Sequence, residues 1–211
     1  DCWVDDARLV VLNARDAADR GAVIRTRTRA VTAKRVDGGW RLTLEDVTTG
    51  TRETIAARIL VNAAGPWIEK VLTGSLGLQA EHRLRLVEGA HIVVPKLFEH
   101  DRAYLLQNPD GRVVFAIPYE HDFTLIGTTD RDYHADPAAT EITTGEIAYL
   151  CEMASSVFAK PVWPQDVVWT YSGVRPLIED SSSDAKSVSR EYSLDLDAPA
   201  GAAPLLSIVG G

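Results

Sequence analysis

Arg175 stands in Trp169–Asp180, WTYSGVRPLIED, at the end of a β-branched and aromatic run whose character predicts burial. Arginine stays ionised in proteins, and its planar fork binds carboxylate or phosphate in bidentate fashion, so a buried one needs an anionic or strongly polar partner. Gly173 before it and Pro176 after it fix the backbone and hence the direction of the side chain. Two partners fit: an internal carboxylate at Glu179 or Asp180, or a ligand anion. His91, in EGAHIVVP, is the second residue of interest, because alternation puts Ala90, Ile92 and Val94 on one face and His91 with Val93 on the other. An imidazole there is either satisfied inside a core or a proton acceptor titrating near neutrality. Asn62–Trp67, NAAGPW, leaves the backbone bare at the carboxyl end of a strand, the edge where open α/β sheets hold ligands. The same small residues also suit tight strand–helix packing. Ile126–Asp130, IGTTD, is a strand end with two hydroxyls and a carboxylate, a common turn pattern.

Composition narrows the partners. At 211 residues and 45% hydrophobic content the chain can bury a sizeable core, as one large domain or two small ones. A net charge of -8 and a pI near 5.1 argue against nucleic acid, which needs a concentrated basic face. The densest basic stretch is Arg25, Arg27, Arg29, Lys34 and Arg35, whose first three members alternate with threonine as the solvated face of a strand. Cys2 and Cys151 lie far apart, without Cys-x-x-Cys spacing, so neither a disulfide framework nor a zinc site is expected, and a reducing compartment fits best. His82, His91, His100, His121 and His134 show no metal-ligand spacing, so no metal is expected. No apolar run approaches the ~20 residues that cross a bilayer, and no targeting leader is expected.

The elements that must position these residues follow from pattern. Asp5 or Asp6 caps a helix whose small apolar face, Ala7, Val10, Val11, Ala14, Ala17 and Ala18, suits packing on a sheet, with Gly21 as its stop. AVIRTRTRAVTAKR, GGWRLTLEDV and VTTGTRETI read as an antiparallel meander, and RILVNAAGPWIEKVL as a strand–turn–helix joint with Pro66 in the first turn. From about residue 81, a second, mostly antiparallel sheet begins with RLRLVEGAHIVVP, RAYLLQ, RVVFAIPY and FTLIGTTD, and DVVWTYSGVRPLI and SREYSLDLD are two further strands. A helix capped by Thr143 or Thr144 covers it with Ile147, Leu150, Cys151, Ala154, Val157 and Phe158, and Ser181–Ser189 forms a polar loop.

Taken in order, DCWVDDARLVVLNA, RGAVIRTRT, LVNAAGPW, LRLVEGAHIVVP, IGTTD, VWTYSGVRPL and PLLSIVGG resemble the middle of the FAD-dependent glycerol-3-phosphate dehydrogenases of the bacterial aerobic type. GVRP alone recurs across related amine-oxidising flavoproteins, whereas DCWVDDARL with VWTYSGVRPL is specific. The resemblance implies an α+β / α/β fold: a partial FAD-binding Rossmann-like domain over residues 1–80, a mostly antiparallel substrate-binding domain with a flanking helix over 81–199, and a strand at 200–211 returning to the first. It implies oxidation of sn-glycerol 3-phosphate to dihydroxyacetone phosphate, with electrons passed to a membrane quinone. His91 and Arg175 match positions beside the reacting carbon, with Arg175 also touching substrate, and Arg190 matches one near the substrate phosphate. Arg29, Ala30, Ala64, Gly65, Gly210 and Gly211 match FAD-contacting positions. It further implies a cytoplasmic protein, peripheral on the inner face of the cell membrane, and allows a homodimer. The G-x-G-x-x-G turn that holds the FAD pyrophosphate and the lysine after the final glycine pair are not in the sequence, so a fragment without independent flavin binding is expected. The rival readings are a glycerophosphate oxidase using dioxygen and a non-catalytic module derived from a flavoprotein.

Overall fold

The computed structural model of the chain describes residues 4–80, 82–179 and 190–211. The first sheet is the meander: β1 (Thr28–Val36), β2 (Gly39–Asp46) and β3 (Arg52–Ala57), antiparallel in that order. Asp37-Gly38 makes the first hairpin, with Gly38 at φ +78°, the left-handed turn that Asp-Gly pairs favour. Trp40, Leu42 and Leu44 alternate into a core with Ala33, Leu72, Ala203 and Leu205. Trp40 donates its indole N–H to the Pro204 carbonyl at 2.8 Å, and Arg35 Nε donates to the Ala203 carbonyl at 2.9 Å, so the meander grips the approach to the last strand. Of the three arginines read as one strand face, only Arg29 lies in β1. Arg27 is in a turn at φ +53°, which breaks the alternation, and Arg25 pairs with Glu53.

Between these sheets of the N-terminal part and the chain end, β4 (Leu60–Asn62) runs into a 3-10 turn (Gly65–Trp67) and α2 (Ile68–Lys70), which continues as a π-helix (Val71–Leu76). Pro66 sits at the start of that turn, where its missing N–H costs nothing.

The second sheet holds β5 (Leu84–Pro95), β6 (Tyr104–Gln107), β7 (Val113–Tyr119), β8 (Phe123–Gly127), β9 (Arg131–Asp132) and β10 (Trp169–Ile178). The order is β10-β5-β8-β7-β6, with β9 paired to β5, all antiparallel. One face, built from Ile92, Val94, Val114, Ala116 and Ile126, is covered by α3 (Thr144–Val157) through Leu150, Cys151, Met153 and Ala154. The stripe differs from expectation at two positions: Met153 turns inward, while Val157, at the helix end, is exposed. Thr143 and Glu146 form a reciprocal capping box at the helix start.

The third sheet closes over a long sequence interval. β12 (Leu205–Gly210) pairs in parallel with β4 and antiparallel with β11 (Tyr192–Asp197). One face of it, with Leu60, Leu205 and Val209, looks inward; on the other, Val61, Tyr192, Leu194 and Leu196 are exposed. The first helix, α1 (Asp6–Asp19), has the expected N-cap at Asp5, which accepts from the Arg8 N–H at 3.0 Å, and Gly21 follows it at φ +96°. Its expected packing on a sheet is not found: no residue of α1 is buried, and Val10 is 67% exposed. Asp180 and Ser181–Ser189 lie outside the described residues. The class is the expected one, mixed α/β with antiparallel sheets and few helices.

Candidate functional site

Register gathers the candidate chemistry on the face of the second sheet opposite α3. Tyr171 pairs with His91, which pairs on its other side with Gly127, and Gly173 pairs with Gly89. Directly opposed residues point to the same face, so Tyr171, Gly173 and Arg175 on β10 join Gly89 and His91 on β5. Glycine is required twice here. A Cβ at Gly127 would stand 2.2 Å from His91 Cδ2, and one at Gly89 would stand 2.5 Å from Thr128 Oγ1 and 3.2 Å from Arg175 Nη2. Nothing lies within 4 Å of the Cβ position of Gly173. The result is a bare backbone floor with an imidazole over one glycine and a guanidinium over another.

The His91 ring stacks on Tyr171, with centroids 4.7 Å apart and planes within 8°. Burial first, and the Arg175 charge second, hold its pKa down to about 4 rather than near neutrality, so the ring is unprotonated at pH 7. Its Nδ1 is buried without a hydrogen-bond partner among the described residues. Burial, followed by nearby Tyr119, Asp6 and Asp5, pushes the Tyr171 hydroxyl up.

Arg175 has an internal partner, but not one expected from its neighbours in sequence. Its Nη2 bonds Asp130 Oδ1, the carboxylate that ends IGTTD, and reaches the Thr129 carbonyl at 3.5 Å. The reading of an ion pair with Glu179 is corrected by this, and Asp180 lies outside the described residues. IGTTD is thus more than a turn. The Thr129 hydroxyl accepts from the Ala90 N–H at 3.1 Å and donates to Glu146 Oε1 at 2.7 Å, tying the segment to β5 and to the cap of α3. Sequence reasoning passed over Tyr171 and read Asp130 only as part of a turn, not as the partner of Arg175. Tyr171 had a usable signal, since it shares the strand parity of Arg175.

Four of the remaining predicted positions form a second group. Ala64 and Gly65 follow the carboxyl end of β4, and Gly210 ends β12, its parallel neighbour, with Gly211 directly after it. The 3-10 turn at Gly65 packs against both β12 and β10. A Cβ at Gly210 would lie 3.0 Å from Ile178 Cγ1, so this group abuts the strand that carries Arg175. Arg190 is exposed, two residues before Tyr192, whose Cβ lies 3.8 Å from the Cβ position of Gly211. It falls at this glycine end, and no hydrogen bond or ion pair joins it to His91 or Arg175 among the described residues. Arg29 and Ala30 are exposed at the start of β1, in a different sheet from both groups.

Residues 1–193 match the FAD dependent oxidoreductase family. The chain is 48% identical over all 211 residues to a glycerol-3-phosphate dehydrogenase of Pseudomonas tolaasii, covering 41% of that protein. It is 45% identical over its whole length to a D-erythritol 1-phosphate dehydrogenase of Brucella abortus, covering 42% of it. Among solved structures, the glycerol-3-phosphate dehydrogenase of Bacillus halodurans complexed with FAD superposes with a TM-score of 0.78 at 30% identity, covering 99% of this chain and 39% of that one. The chain therefore spans about two fifths of the length of the curated relatives it matches.

Proposed function

Because the chain belongs to the FAD dependent oxidoreductase family, we propose that it forms the substrate-facing part of an enzyme that oxidises the secondary carbinol of a polyol phosphate. The substrate proposed is sn-glycerol 3-phosphate, the product dihydroxyacetone phosphate, and the electron acceptor a membrane quinone. The observation that carries this reading is the unprotonated His91 beside Arg175 over the glycine floor. Whole-length likeness to named polyol-phosphate dehydrogenases supports it.

Loss of hydrogen from a carbinol requires a base for the hydroxyl proton. His91, unprotonated at neutral pH, accepts that proton. Tyr171, stacked on the ring, holds the imidazole plane. Arg175 faces the same floor and stabilises the oxygen as negative charge develops. Arg190, at the glycine end, binds the distal phosphate. Flavin, when bound, supplies the acceptor for the two electrons.

The second group of residues fits such a cofactor. Gly65 at φ +53°, with open space around its Cβ position, bares the main chain after β4, and Gly210 at φ +84°, packed against Ile178 and the Glu191 carbonyl, ends the adjacent parallel strand, at the edge that admits a dinucleotide. Ala64, Gly65, Gly210 and Gly211 would hold it, while Arg29 and Ala30, in the first sheet, are assigned to it by the family resemblance alone. The parallel β4–β12 pair supports assigning residues 1–80 and 200–211 to an FAD-binding domain, with 81–199 as the substrate domain apart from β11, which pairs with β12. No helix among the described residues is long and apolar enough to cross a membrane, and attachment is proposed to be peripheral, on the cytoplasmic face.

D-Erythritol 1-phosphate is a second candidate substrate, favoured by the 45% identity to its dehydrogenase. The test is turnover by the full-length protein on both phosphates, with quinone reduction and peroxide followed together. Oxidation of glycerol 3-phosphate with quinone reduction supports the proposal. Preference for the erythritol ester moves it to the longer polyol, peroxide in place of reduced quinone makes the enzyme an oxidase, and no flavin and no turnover leave a binding module.

A further inference from the structure

Arg175 carries five N–H donors, and both of its recorded bonds use Nη2, leaving Nε and Nη1 without a partner among the described residues. The carboxylate on Nη2 is not a loose surface charge. Asp130 has a side chain only 10% exposed, so little water competes for it. The residue before it is fastened on two sides: the Thr129 hydroxyl accepts from the Ala90 N–H on β5 and donates to Glu146, the third residue of α3. Burial opposes the ionisation of Glu146, yet the Thr143 amide and the Thr129 and Thr143 hydroxyls hold its carboxyl below the usual range. Gly89 completes the seat, because a side chain there would meet both Thr128 Oγ1 and the guanidinium. A rigid helix cap, a strand amide and a side-chain-free position thus converge on one carboxylate, and that carboxylate converges on one edge of one arginine.

We infer that Asp130 is the positioning residue for Arg175: it holds the Nη2 edge of the guanidinium on an internal carboxylate and so reserves the Nε and Nη1 donors for the oxygen of the substrate. An arginine whose only anion was the substrate would rotate freely in the empty site and would be ordered anew at each binding event. Docked on Asp130, its orientation is set before the substrate arrives, which matters most where geometry must match developing charge. The inference rests on the proposed oxidation of a polyol phosphate.

Non-additivity separates this role from that of a merely structural ion pair, because two residues that act as one unit cannot each be lost at full cost. The experiment is steady-state kinetics of the full-length, flavin-loaded enzyme as parent, Asp130→Asn, Arg175→Lys and the double variant, each normalised to its flavin absorbance. Asp130→Asn is expected to lower kcat by roughly 10–100-fold with KM within about threefold, and the double variant to match Arg175→Lys within about twofold. An Asp130→Asn enzyme with kcat within about twofold of the parent, or losses that multiply in the double variant, would overturn the inference. If Asp130→Asn does not accumulate as holoenzyme, Asp130→Glu, which keeps the charge and moves it by a methylene, is held to the same comparison. A parent that does not oxidise polyol phosphates at all overturns the proposed function and the inference with it; an active parent with multiplying losses overturns the inference alone.

Discussion

As the proposed base, His91 shows how a site can choose the strength of a base against its availability. Burial, then Arg175, lowers its pKa from 6.5 to about 4, so the ring is a weaker base than a free imidazole but is unprotonated throughout the neutral range. The sign follows directly: a base works when deprotonated, and its depressed pKa moves the acid limb of kcat/KM down to about pH 4. A limb near pH 6.5 that disappears in His91→Gln would contradict this; the substrate phosphate, which titrates near 6, acts equally in both enzymes. His91→Gln should lower kcat by about 10²-fold or more, with a smaller effect on KM. Arg175 and Arg190 should separate by the same kinetics. Arg175→Lys keeps the charge, loses the planar fork and should mainly depress kcat, whereas Arg190→Lys should mainly raise KM. That His91 and Arg175 are set apart from their neighbours was legible from residue type and context, and register puts them on one face, but the partner of Arg175 was not legible. Glu179 is nearer in sequence, yet four residues along an extended strand span roughly 13 Å, and Arg175 lies in such a strand. The true partner lies 45 positions away and is set by sheet register, which no local pattern encodes.

Among the elements, α3 carries more than its own packing. Its capping box begins at Thr143, and the Glu146 carboxylate of that box also receives the Thr129 hydroxyl. Thr143→Ala should destabilise the protein by about 1 kcal/mol, read as a lower denaturant midpoint with an unchanged slope. Strand alternation and the Thr143 and Asp5 caps made most elements legible, because each depends on neighbours within a few residues. Arg25 and Arg27 misled because a left-handed turn at Arg27 ends the alternation, and an Arg-Thr repeat carries no sign of it. The apolar face of α1 was read correctly as a pattern, but amphipathicity shows that a helix has a side to bury and not what covers it.

At the scale of the molecule, the uncovered apolar surfaces govern behaviour in solution. Leu196 is 66% exposed, and Tyr192, Leu194 and Val61 lie on the same face of the third sheet. Patches of this kind mark interaction surfaces. The 211-residue chain alone should bind a hydrophobic dye and associate with itself, and Leu194→Lys together with Leu196→Lys should reduce both; a monomer that binds no dye would argue that the face is covered in solution. The same chain should purify without stoichiometric flavin, as its absorption spectrum would report, because its sequence has no G-x-G-x-x-G turn. The parallel β4–β12 seam has a consequence for the birth of the protein. Antiparallel β6, β7 and β8 meet partners that emerge close behind or before them, but β4 leaves the ribosome about 140 residues ahead of β12. At ~5–20 residues per second that interval is on the order of 10 s, during which the second sheet has time to form while β4 still lacks its neighbour on that edge. Synthesis therefore imposes a sequence of events in which β5 to β8 can pair first, β10 with Tyr171 and Arg175 joins them later, and the crevice at Gly65 and Gly210 is assembled only when the last strand arrives.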